Sequence, residues 1–200
     1  MLNLNDVLQL TSEQKRIIQQ FGVLSPEHWD RNKTKLKDAI RERLKLMQNK
    51  CCVYCGCRVQ GGGDVEHIAH KAAHPQFLFT PENLAYSCKN CNQVYKGQRN
   101  VVSLVNTDYK RCRFTIVHPY LDDVYHYFDT SKPIIAIRPG LSRPEHTKAV
   151  TTKRMFHWED PEVTEQRAMA VMAREYAVEH HTSIDQVLYE NVLTYIPGEI

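Results

Sequence analysis

The sequence predicts an α+β fold: a small cysteine-braced core of two strands and one helix, flanked by α-helices at both ends. Three observations predict it. Two Cys-x-x-Cys pairs, Cys52/Cys55 and Cys88/Cys91, have the spacing that fills a tetrahedral zinc shell from two tight turns. Between them the chain is short-patterned and turn-rich, with strand-like runs from Asp64 to Ala69 and from Leu84 to Ser87. Outside them, apolar residues recur at helical spacing.

The elements follow in order. Thr11-Ser12-Glu13-Gln14 has capping-box spacing and opens a short helix that Gly22 ends. Ser25-Pro26 starts a longer helix, with serine as N-cap and proline in the first turn, and with an apolar stripe of Trp29, Leu36, Ile40, Leu44 and Met47. Its other faces are basic. After the first cysteine pair, Gly61-Gly62-Gly63 makes a flexible turn before the first strand, and the second pair feeds a short helix beginning near Asn92. Residues 112–120 and 133–138 have strand-like content broken by proline and read as irregular. Asp160-Pro161-Glu162 starts a helix reaching about His180, and Ser183 starts another through Ile184, Val187, Leu188, Val192 and Tyr195. The expected divisions are 1–50 (basic helical), 51–100 (metal-braced core), 101–158 (irregular α/β extension) and 159–200 (acidic helical).

Two hundred residues at 42% apolar content suffice for one cooperative unit. No run approaches the roughly 18 apolar residues of a membrane span, and the start MLNLNDVLQL lacks a secretory apolar region. The expectation is a cytoplasmic protein without membrane contact. Seven cysteines, four of them in metal-spaced pairs, fit a reducing compartment better than a disulfide frame. Cys57 competes for the metal in the run Cys51-Cys52-x-x-Cys55-x-Cys57, but Gly56 permits the tight turn that favours Cys52/Cys55. The net charge of +3 hides a division: residues 1–158 carry 24 Lys/Arg against 14 Asp/Glu, and 159–200 carry 2 against 9. A cationic body attracts phosphate backbones and an acidic tail repels them, although two solvated faces of opposite sign would give the same counts.

Taken in order, Cys52-Val53-Tyr54-Cys55-Gly56, Glu66-His67-Ile68, Glu82-Asn83-Leu84, Cys88-x-x-Cys91-Asn92 and Lys96-Gly97 resemble the zinc-supported HNH endonucleases. The resemblance covers about a quarter of the chain and rests on order and spacing. It implies a ββα-metal core, a structural Zn²⁺ on the four cysteines, and hydrolysis of DNA phosphodiester bonds. That chemistry needs an activated water, and a neutral imidazole is a natural general base, a role that falls to His67. Glu66 and Asn92 match the family's metal ligands, and a carboxylate with a carboxamide oxygen suits Mg²⁺ or Mn²⁺ at the leaving oxygen. Asn83 matches the asparagine that fastens the histidine-bearing loop, and Lys96, one turn after Asn92, would meet a phosphate.

Each residue also has a plainer reading: Glu66 as a solvated strand carboxylate, Asn83 as a turn residue, Lys96 as a surface lysine. His70 stands where relatives often carry proline, and could bind metal, touch phosphate or sit on the surface. Lys35, Lys37 and Arg41 of the basic helix are candidate backbone contacts, with Asp38 and Glu42 as local partners. A narrower similarity joins the basic helix with tryptophan, Cys-Val-Tyr-Cys, Glu-His-Ile and Phe114-Thr115-Ile116-Val117-His118-Pro119-Tyr120. These look like the HNH effector subunits of Septu-type and retron-linked anti-phage systems, which implies an ABC-type ATPase as partner. The alternative is a zinc-knuckle subunit that grips nucleic acid or a partner without cutting.

Overall fold

The computed structural model describes residues 1–31, 35–183 and 186. Helix α1 (Ser12–Gln20) begins with the expected reciprocal cap: Thr11 N–H donates to the Gln14 side chain at 2.9 Å and Gln14 N–H to the Thr11 hydroxyl at 3.2 Å. Gly22, at φ +63°, follows it in the left-handed region. Beyond it stand two helices, α2 (Pro26–Arg31) and α3 (Leu36–Met47), where one long helix was expected. The intervening Asn32-Lys33-Thr34, over which the expected helix would run, lies outside the described residues. The apolar stripe nevertheless works as a unit: Trp29, Leu36, Ile40 and Leu44 are buried together, with Met47 partly covered.

Strands β1 (Asp64–His67) and β2 (Leu84–Ser87) pair antiparallel, with Asp64 opposite Ser87 and His67 opposite Leu84. Because side chains alternate across a strand, Val65, Leu84 and Tyr86 face the α2–α3 cluster, while Ala85 joins a second cluster on the other side. Gln48, just past α3, pairs with the strand edge as a residue of a third strand would. Its side chain accepts from Tyr86 N–H at 2.7 Å and donates to Tyr86 C=O at 2.8 Å. Gly63 is required where β1 begins, because a Cβ there would come within 2.6 Å of Ser87 O and 2.7 Å of the Tyr86 ring.

A π-helical stretch (Asn90–Lys96) follows β2, two residues earlier than expected. The region read as irregular contains two short hairpins: β3 (Val102–Leu104) with β4 (Arg113–Phe114), and β5 (Phe128–Asp129) with β6 (Ala136–Ile137). Strands of two or three residues are too short to leave a periodic signal. Between the hairpins lies α4 (Val124–Tyr127), and after them α5 (Arg143–Met155) and α6 (Pro161–Glu179). The acidic helix from Asp160 thus forms where expected; the helix expected from Ser183 lies almost wholly outside the described residues. The second cluster runs from Met1 through the cysteine turns and both hairpins to Phe156, Trp158 and Val163. Among the described residues, no helix is long and apolar enough to cross a membrane.

Candidate active site and metal centre

The first cysteine turn is closed by Cys52 N–H to Cys57 C=O and by Gly56 N–H to Cys52 C=O, both at 2.9 Å, with Gly56 at φ +73°. The second turn opens the π-helical stretch, where Cys91 N–H points at Cys88 Sγ at 3.5 Å and Asn92 N–H donates to Cys88 C=O at 3.0 Å. Cys52, Cys55, Cys88 and Cys91 thereby bring four Sγ atoms within 4.8 Å of one another. Zn–S bonds of about 2.3 Å in a tetrahedron place sulfurs about 3.8 Å apart, so the cluster fits zinc in a closed, structural shell. The hydrogen bonds that Cys88 and Cys91 share with Cys52 hold both thiols above their ordinary range. Cys57 is buried beside the cluster but outside the four-sulfur group, and none of the seven cysteines forms a disulfide.

On β1, Glu66 and His67 leave the strand on opposite faces. The Glu66 carboxylate is 1% exposed; it accepts from Lys96 Nζ at 2.7 Å and from the Tyr54 hydroxyl at 3.0 Å. Lys96, also 1% exposed, makes its second bond to His67 C=O at 3.0 Å. Burial pushes the Glu66 carboxyl up, and the Lys96 ammonium and Tyr54 hydroxyl pull it back down. Lys96 is therefore turned inward, so the expected phosphate contact gives way to a buried ion pair. Asn92 stands half-exposed on the same helical stretch, one turn before Lys96. As folded, Glu66 does not fit a hard divalent cation: its side chain is enclosed, its Oε1 already takes two donors and its charge is balanced by Lys96, whereas Mg²⁺ keeps several waters. The four cysteines are the metal-competent group among the described residues.

His67 is 6% exposed, beneath the edge of the Trp29 ring at 4.5 Å. Its Nε2 lies 3.0 Å from Leu78 C=O. A carbonyl only accepts, so Nε2 carries the proton and Nδ1 carries the lone pair. Burial lowers the imidazole pKa to about 3, so the ring is neutral near pH 7.

The loop that supplies the Leu78 carbonyl is held by Asn83. Its Oδ1 accepts from Ala69 N–H at 2.7 Å, and its Nδ2 donates to Ala69 C=O at 3.2 Å and Phe77 C=O at 2.9 Å. The Tyr109 hydroxyl also donates to Oδ1 at 2.9 Å and in turn meets His118 Nε2 at 2.9 Å. With the Tyr109 proton committed to Asn83, His118 Nε2 must be the donor, and its Nδ1 faces the N–H groups of Tyr120 and Leu121. Asn83, Tyr109 and His118 are all buried. Tyr109 and His118 went unassigned at the sequence level, where no local spacing joins them; the one hint was the run of aromatic residues around His118.

The remaining candidates sit further out. His70, half-buried, accepts from Ala72 N–H at 3.4 Å, and burial lowers its pKa. Lys35 is exposed at the start of α3. Lys37 lies over the Trp29 ring at 5.8 Å, and Arg41 pairs with Asp38 at 3.1 Å and Glu42 at 3.5 Å. The basic helix thus spends part of its charge on local partners.

No protein-family model matches the chain. Over 91 residues, 44% of the chain, it is 33% identical to the Septu protein PtuB of Bacillus thuringiensis, covering 33% of that protein. Over 92 residues, 46% of the chain, it is 28% identical to protein ea31 of Escherichia phage lambda, covering 28% of that protein. The matched stretch is thus about a third or less of either relative's length. The likeness to PtuB supports a link to Septu-type defence.

Proposed function

We propose that this chain is an HNH-type endonuclease that hydrolyses DNA phosphodiester bonds as an effector of Septu-type anti-phage defence. The observation that carries the reading is the His67 hydrogen bond to Leu78 C=O, which leaves Nδ1 as the basic atom on a ring that is neutral at physiological pH. A water on Nδ1 gives up its proton to the ring as it attacks phosphorus, and the P–O3′ bond breaks, the departing 3′ oxygen taking up a proton to leave as a hydroxyl. A phosphodiester anion beside the ring raises its basicity, since a nearby negative charge favours the imidazolium. Asn83 keeps the loop, and with it the Leu78 carbonyl, in place. The order of β1, β2 and the π-helical stretch beside the four-cysteine cluster fits a ββα-metal core in which zinc is structural.

The likeness to PtuB supports defence as the setting, and an ABC-type ATPase is the partner we assign, with the acidic α6 region as its docking element. The second reading, a zinc-knuckle subunit that binds nucleic acid without cutting, is favoured by the enclosure of His67 under Trp29 and of Glu66 under Lys96. Plasmid cleavage by the zinc-loaded chain, in Mg²⁺, Mn²⁺ or EDTA and with or without any ATPase encoded beside it, separates the two. We expect cleavage by the wild type and a loss of about 10²- to 10⁴-fold in His67→Ala with DNA binding retained. Full cleavage by His67→Ala overturns the mechanism, and DNA binding without cleavage in every wild-type arm puts the binding module in its place.

A further inference from the structure

The buried pair beside the proposed base carries one inference more, and it rests on the nuclease reading of the same site. Glu66 adjoins His67 on β1, where an anionic oxygen would be expected to hold a divalent ion. Its side chain is instead 1% exposed, and a single oxygen, Oε1, takes two donors, Lys96 Nζ at 2.7 Å and the Tyr54 hydroxyl at 3.0 Å. The Tyr54 ring cannot swing aside freely, because it stacks on Phe156 with centroids 3.8 Å apart. The ammonium is tied a second time, to the carbonyl of His67 itself.

We propose that Lys96 is a built-in monovalent cation for this centre: its ammonium fills the cation place beside Glu66, and a divalent ion reaches that carboxylate only by displacing it. Charge and space both require this. A second cation within a few ångströms of a buried ammonium is repelled strongly at low effective dielectric, and one carboxylate cannot neutralise both. The lysine ammonium is a compact point charge on a flexible stem, so it can plug the position and can also be withdrawn from it. Mg²⁺ and Mn²⁺ hold their waters and need an open shell, which two groups at 1% exposure do not offer.

The test is Mn²⁺ affinity of the zinc-loaded full chain, followed by calorimetry and by the loss of the free-ion paramagnetic resonance signal. The wild type and Glu66→Gln should bind Mn²⁺ equally weakly, since Glu66 is unavailable in either. Lys96→Met should gain a site at least about tenfold tighter, and Glu66→Gln/Lys96→Met should lose it again. Wild-type binding that is tight and abolished by Glu66→Gln overturns the proposal, and that comparison holds even if Lys96→Met fails to fold. A folded Lys96→Met, checked by its melting curve, that binds Mn²⁺ no better than the wild type also overturns it. Affinity is read without cleavage, so the outcome is separate from that of His67→Ala, on which the nuclease reading depends.

Discussion

At the scale of single residues, the centre is set by hydrogen bonds that fix protons. Asn83 satisfies three backbone groups of the loop after β1 and takes the Tyr109 hydroxyl as well. Asn83→Ala therefore strands buried donors and acceptors, each costing about 1–3 kcal/mol, and should destabilise the protein by at least about 2 kcal/mol in urea unfolding. In the proposed nuclease it should also slow cleavage by releasing the loop that carries the Leu78 carbonyl. A loss below about 0.5 kcal/mol, the range of an unremarkable surface change, would remove Asn83 from this role. The sequence marked Glu66, His67, Asn83 and Asn92 because their order is local, but it could not show which way each side chain faces. Lys96 shows the limit: its place one turn after Asn92 is legible, whereas its burial against Glu66 depends on how the π-helical stretch lies on β1. His118 was passed over because its partner Tyr109 lies 9 residues before it, and Asn83, which Tyr109 joins to it, lies a further 26 residues back.

At the scale of elements, the informative contact is between the acidic helix and the cysteine turns. Arg167 of α6 is buried, and its guanidinium donates to the carbonyls of Cys55 at 2.5 Å, Pro133 at 2.7 Å, Lys132 at 2.9 Å and Thr130 at 3.1 Å. A planar fork with several fixed donors suits such a set of carbonyls, and its positive charge lies close to the thiols of Cys57 and Cys55. Hydrogen bonds from a charged donor contribute about 1.5–3 kcal/mol each, so Arg167→Ala should cost about 3 kcal/mol after relaxation. Limited proteolysis should then begin within 161–179 while the zinc content stays unchanged. Arg167→Lys should fail to restore resistance, since a single ammonium cannot span four carbonyls; full restoration by lysine would reduce the contact to its charge. The sequence showed α6 through its Asp-Pro-Glu start, and β1 and β2 through their turns and composition. It did not show the docking of α6, because an arginine in an acidic helix reads as solvated. Nor did it show the hairpins β3–β4 and β5–β6, whose stability comes from the packing of Phe114 and Phe128 rather than from strand length.

At the scale of the whole molecule, two buried clusters meet across one strand pair, so a change in either is felt at the centre. Each cluster contains or adjoins a histidine that must stay neutral. His67 lies on the α2–α3 side and His118 on the other, and burial lowers both to about 3 from an ordinary value of 6.5. Above pH 6.5 both are neutral whether folded or unfolded and contribute no pH dependence. As the pH falls from 6.5 towards 3, the unfolded chain takes up a proton at each and the folded chain does not, so stability is lost throughout that window. At pH 5 the linkage amounts to about 2 kcal/mol per histidine, a large share of a typical total of 5–15 kcal/mol. A metal held by the four cysteines would be released in acid in every variant, so the slope is compared between proteins at matched metal occupancy. Unfolding free energies measured from pH 8 to pH 5 should fall steeply below about pH 6.5 in the wild type. The fall should be shallower by the share of one histidine in His118→Gln, which removes the titrating group whatever it does to absolute stability. An identical slope in wild type and His118→Gln would mean that His118 titrates in the folded state as it does in the unfolded one, and the hydrogen-bonded line from His118 through Tyr109 to Asn83 would then be open to water.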